Sequence, residues 1–117
     1  MTCRSEDKYQ KALDTLKKEG FDTNVLNFTQ LDLSSLDSVK DFVHFLKDKN
    51  LNLDCLVNNA GVLSYEKDHD YTWDMNINFL NTYFLTENVL KNKLVNKSGK
   101  IIGVSGLLGN IKAVPTE

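Results

Sequence analysis

Residues 53–61 read LDCLVNNAG. A mostly apolar run gives way without transition to two amides, an alanine and a glycine. LDCLV has the length of a strand, and it lacks the strict alternation of a half-exposed antiparallel strand. It suits a parallel strand covered by helices on both faces. NNAG on its own reads as a turn, since Asn and Gly supply turn geometry. Small residues at a strand end also let a ligand approach the backbone, and amides can both donate and accept. The neighbouring segments have to decide between these readings.

Two more runs of strand length flank it, VLNFTQLDL at 25–33 and KIIGVS at 100–105. Helical periodicity alternates with these runs. In 5–19, Tyr9, Ala12, Leu13 and Leu16 fall on one face, with Ser5 at the N-cap, Glu6 and Asp7 in the first turn and Gly20 past the end. In 35–48, Val39, Phe42, Val43 and Leu46 repeat the spacing, capped by Ser34 or Ser35. The third helix spans roughly 72–95 and carries two apolar stripes, Trp73, Ile77, Leu80 and Phe84 beside Phe79, Tyr83 and Leu90. Two stripes predict burial on more than one side. Asn76, Asn78, Asn81 and Asn88 interrupt it, and asparagine is a poor helix former. Alternation of helix and strand predicts an α/β fold with a doubly wound parallel sheet. The longest connection is 62–71, VLSYEKDHDY.

Composition narrows the function. At 117 residues the chain is one domain, 1–117, and its 41% hydrophobic and 26% charged content fits an ordinary globular protein. Fourteen basic residues mixed among 16 acidic ones, net −2, argue against a nucleic-acid partner. The most basic window, KNKLVNKSGK at 91–100, reads as a helix end where lysines complement the dipole. No run is long enough to span a membrane and the N-terminus is charged at once, so the expected location is cytoplasmic. Cys3 and Cys55 read as reduced thiols. Asp68-His69-Asp70 reads as an exposed loop, and no metal site is expected.

In an open parallel sheet, ligands bind outside the carboxyl ends of the strands. Here those ends are Asp32-Leu33, Asn58-Asn59-Ala60-Gly61 and Ser105-Gly106. Three polar ends in series favour a nucleotide site over isolated turns. LDCLVNNAGV resembles the strand-and-NNAG segment of the short-chain dehydrogenase/reductase family. QLDLSSLDSV resembles its adenine-pocket segment, INFLNTYFLT its long helix, and SGKIIGVSG the strand leading to its catalytic serine. LLGNIKAVPTE resembles an extra segment of the carbonyl reductase-like members.

The resemblance implies a Rossmann-like NADP-binding domain and the following roles. Arg4 would pair with the 2′-phosphate of NADP, as a guanidinium fork suits a phosphate; without the family, it reads as an exposed helix-entry residue. Asp32 would accept from the adenine amino group, with the Leu33 backbone beside it. Asn59, Ala60 and Gly61 would lie along the adenosine ribose. Asn78 would distort its helix so that a carbonyl holds a water of the proton relay. Ser105 either takes the catalytic serine's role or, with Gly106 where a second serine is usual, the role is lost.

The family's TGxxxGxG loop and Tyr-x-x-x-Lys pair do not occur in these residues. The expectation is therefore a partial fold without the first strand and its glycine-rich loop. It would be a portion of an NADPH-dependent carbonyl reductase-type enzyme acting on a small ketone or aldehyde, and inactive as an isolated chain. The rival expectation is a non-catalytic truncated isoform that binds or dimerises through the helix at 72–95. Oligomeric state stays open.

Overall fold

The computed structural model describes residues 1–63 and 71–106. Most of the loop 62–71, with Asp68-His69-Asp70, and the segment LLGNIKAVPTE lie outside the described residues. The element order is β1 (Thr2–Cys3), α1 (Glu6–Lys18), β2 (Thr29–Gln30), α2 (Leu36–Asp48), β3 (Leu53–Asn58), α3 (Tyr71–Met75), a π-helical segment (Asn76–Leu80), α4 (Asn81–Lys91) and β4 (Val95–Gly103). Every strand pairing is parallel, β1 with β2 and β3 with β4.

The helix ends follow local chemistry. Of the two candidate caps for α2, Ser35 is the one used: its hydroxyl accepts from the Ser38 N–H at 3.2 Å. Ser5 sits at the α1 N-cap position, but its side chain makes no capping bond. α1, α2 and α4 all stop in the same way, with a left-handed residue at φ +86°, +50° and +56° (Gly20, Asn50 and Lys93). The next N–H then reaches back five residues: Phe21 to Leu16, Leu51 to Leu46, and Leu94 to Val89. This is a Schellman closure, and it satisfies carbonyls that would otherwise be orphaned.

Three expected boundaries change. The strand expected at 25–33 is reduced to Thr29–Gln30 because its partner β1 offers only two residues, Thr2 opposite Thr29 and Cys3 opposite Gln30. The helix expected to run to 95 ends at Lys91, since the turn at Lys93 redirects the chain into β4. Of the basic window, only Lys91 closes a helix, paired with Glu87 at 3.0 Å; the rest leads into β4. β4 accordingly begins at Val95 rather than 100, and its register with β3 is irregular between Leu53 and Cys55. Gly99 sits in that irregularity. A Cβ there would lie 2.5 Å from Val95 Cγ1 and 2.9 Å from the Asn96 carbonyl oxygen, so only glycine fits.

Among the described residues, the core clusters between α2 and α4. Val39, Phe42, Val43 and Leu46 pack on Leu85, Val89 and Leu94, with Leu53, Leu56 and Val95 of the sheet against them. Tyr9 of α1 packs elsewhere, stacked on Phe28 at 4.8 Å and donating to the Leu26 carbonyl at 3.1 Å. Two expectations about burial do not hold. LDCLV is covered on one face only, and Val57 is 53% exposed. Phe79, Tyr83 and Leu90, expected to be buried, are more than half exposed, while Ile77, Leu85 and Val89 carry the buried face of that helix.

The two strand pairs do not bond to each other. The second edges of β1 and β3 instead line a common slot of about 510 Å³, with Thr2 on one side, Cys55 and Val57 on the other, and Phe45 and Leu46 of α2 also lining it. The carboxyl ends of β2 and β3 open on the same side of the molecule, where a small pocket forms between them.

Candidate functional site

The first wall of that pocket follows β2. The Asp32 Oδ1 accepts from the Ser34 N–H at 2.9 Å and from the Ser34 hydroxyl at 2.7 Å. The Asp32 N–H donates to Ser38 Oγ at 3.0 Å, and its carbonyl accepts from the Ser35 N–H at 3.1 Å. This Asx-type turn feeds straight into α2. The bond from the Ser34 hydroxyl holds the Asp32 carboxyl below the usual carboxylate range. Burial opposes this, while the Ser34 N–H, Arg4 and Lys8 add to it. Arg4 leaves β1 beside this turn, with its carbonyl accepting from Gln30 Nε2 at 3.2 Å.

The second wall is the NNAG segment. Asn58 points away from the pocket and donates to Thr86 Oγ1 of α4 at 3.0 Å, tying the strand end to the helix. The Asn59 N–H closes a tight turn on the Val57 carbonyl at 3.1 Å. Val62 is held from both sides by one side chain: its N–H donates to Asn78 Oδ1 at 2.8 Å and its carbonyl accepts from Asn78 Nδ2 at 2.7 Å. A Cβ on Gly61 would stand 3.2 Å from Asn78 Oδ1, so glycine lets the loop and the helix approach this closely.

Asn78 lies in the middle of the π-helical segment. The Asn81 N–H closes that turn on the Asn76 carbonyl, and the Thr82 hydroxyl takes up the Ile77 carbonyl at 2.9 Å. Single π turns inside helices are often found at functional sites.

The pocket encloses about 210 Å³, lined by Arg4, Leu31, Asp32, Leu33, Ser34, Ala60, Gly61, Val62 and Ile77. Five of the residues singled out from sequence meet here: Arg4, Asp32, Leu33, Ala60 and Gly61. Asn59 lines the slot between the strand pairs instead. Asn78 stands behind the pocket and acts on it through Val62. Ser105 is exposed beyond β4, its hydroxyl 3.4 Å from the Gly106 carbonyl, and does not line the pocket.

Sequence reasoning took Ser34 only as a candidate helix cap and missed its grip on Asp32, although a serine two residues after an aspartate is a known turn signal. Ile77 was read as part of an apolar stripe and not as pocket lining, and spacing carries no signal for Val62 or the Asn58–Thr86 tie. Among the described residues, no group of three His, Cys, Asp or Glu is placed to hold a metal. None of the described helices is long and apolar enough to cross a membrane.

The arrangement offers a carboxylate acceptor and a guanidinium on one wall and bare backbone on the other. That suits a flat, amino-bearing ring with an anionic group nearby, as in the adenosine end of a dinucleotide. Comparison with known proteins bears on the family. Residues 1–115 match the family model described as short chain dehydrogenase. The chain is 30% identical to (+)-neomenthol dehydrogenase of Arabidopsis thaliana, with 100% of the chain aligned to 48% of that protein. It is 28% identical to the 3-oxoacyl-acyl-carrier-protein reductase FabG of Chlamydia pneumoniae, over 92% of the chain and 44% of that protein.

The fold superposes on a short-chain dehydrogenase/reductase of Serratia marcescens with a TM-score of 0.66 at 20% identity, covering 91% of this chain and 44% of that one. The chain thus spans a little under half the length of these relatives. With the strand ends, the pocket between them and these matches together, the chain belongs to the short-chain dehydrogenase family.

Proposed function

We propose that the chain forms the adenosine-binding portion of an NADPH-dependent carbonyl reductase-type oxidoreductase acting on a ketone or aldehyde. One observation carries this reading. The pocket sets Arg4 and Asp32 on one wall and the backbone of Ala60 and Gly61 on the other. Asp32 Oδ1 is taken by Ser34, which leaves Oδ2 to accept from the adenine amino group beside the Leu33 backbone. Arg4 would meet the 2′-phosphate, and Ala60 and Gly61 would follow the ribose.

The nicotinamide supplies hydride when the cofactor is bound. Beyond binding, this chain would contribute the segment around Asn78, where a backbone carbonyl would hold a relay water, and Ser105 as the candidate hydroxyl toward the substrate oxygen.

The test uses the 117-residue chain and amide resonances, which register weak binding. Millimolar 2′,5′-ADP is expected to shift Asp32, Leu33, Ser34, Ala60 and Gly61, more strongly than 5′-AMP does. Arg4→Ala should remove that difference. An absence of shifts at these amides overturns the reading. Because TGxxxGxG and Tyr-x-x-x-Lys are not among these residues, the chain by itself is expected to bind NADPH more weakly than micromolar and to turn nothing over. Micromolar affinity would refute that part.

A second reading, a non-catalytic truncated isoform acting as a binding or dimerisation module, is favoured by one observation. Phe79 and Tyr83 stack at 6.3 Å on an exposed helical face that also carries Leu90. Sedimentation would show a dimer that Tyr83→Glu dissolves.

A further inference from the structure

We propose that Asn81 is a positioning residue that sets the width of the base pocket and, through it, the preference for adenine. This rests on the adenosine-site reading above. The Asn81 side chain donates to the Leu33 carbonyl at 2.8 Å, across 48 residues of sequence and in partly buried surroundings. Three residues earlier, Asn78 grips both backbone groups of Val62. Leu33 belongs to the wall that carries Asp32, and Val62 to the wall that carries Ala60 and Gly61. Two amides on one helical stretch therefore brace the two walls at a fixed separation, with Ile77 between them at the pocket's base.

The π turn makes this reach possible. Its extra residue rotates everything after it by about 100° relative to an uninterrupted α-helix. The Asn81 N–H closes the π turn on Asn76, so the same residue ends the distortion and spends its side chain on the opposite strand end. Along α4, Asn81 is the residue that reaches the wall carrying Asp32. Asn58 to Thr86 and Asn78 to Val62 both serve the NNAG side.

An acceptor at Asp32 should distinguish adenine, which presents an amino group, from hypoxanthine, which presents an oxygen there. A hydrogen bond to a charged acceptor supports a preference for 5′-AMP over 5′-IMP of about tenfold. Asn81→Asp keeps the size and removes the donor.

The expected result, by amide-shift titration of the 117-residue chain, is a folded variant whose preference falls to about twofold or less. A folded variant that keeps the full preference overturns the proposal. Should the variant not fold, the wild-type Asn81 side-chain amide decides. Slow exchange and a shift with AMP but not IMP support the brace. Exchange as fast as that of the exposed Asn92, with no response to AMP, overturns it. If neither nucleotide shifts any pocket amide of the wild-type chain, the adenosine-site reading fails, and the proposal with it. A wild-type preference that survives in the variant defeats the proposal alone.

Discussion

Ser34 decides what Asp32 can offer a ligand. By occupying Oδ1 from both its N–H and its hydroxyl, it fixes the carboxylate plane and keeps the group ionised. Ser34→Ala is expected to raise the Asp32 pKa back toward the ordinary carboxylate range, readable by following its side-chain carbon through an NMR titration. A folded-state pKa below the unfolded value of about 3.9 means that Asp32 stabilises the fold above that pH. The contribution is lost as pH falls through the folded value. Ser34→Ala should therefore cost stability at neutral pH and nothing in strong acid. Asp32 was legible from its place at a strand end. Its partner was not, because two adjacent serines present the same chemistry and only the turn selects one of them.

The helices show where residue patterns suffice and where they do not. α2 follows its spacing closely, and Val39, Phe42, Val43 and Leu46 are all buried. Leu46→Ala removes a side chain packed in the core while leaving in place the backbone carbonyl that takes part in the Schellman closure. It is expected to lower stability by about 2–5 kcal/mol, measured by urea unfolding. The long third helix is different. Its asparagines mark the interruption correctly, but a π turn has no periodicity of its own to read. Their individual tasks also depend on distant carbonyls: Asn78 on Val62, Asn81 on Leu33. The Asn88 side chain donates back to the Phe84 carbonyl on its own helix. Strand lengths failed for a related reason, because a ladder is as long as its shorter member. β2 ends where β1 does.

Across the whole molecule, the parallel α/β order was readable from alternation alone, while the division into two strand pairs was not. Apolar runs say that a strand is to be covered; they do not say by what, and here α2 and α4 cover one face. The Asp32 wall belongs to one pair and the NNAG wall to the other. The pocket's geometry thus depends on the shared helical core and on the amides of the third helix, with no continuous ladder linking the pairs. The slot between them has a practical consequence. Cys55 is exposed within it, whereas Cys3 is half-buried. A maleimide should label Cys55 faster than Cys3 in the folded chain, with equal rates in urea, as mass spectrometry after a short pulse would show. Anything that fills the slot must shield that sulfur. The space between the half-sheets therefore carries its own clock, and the alkylation rate of a single thiol reports whether it stands open.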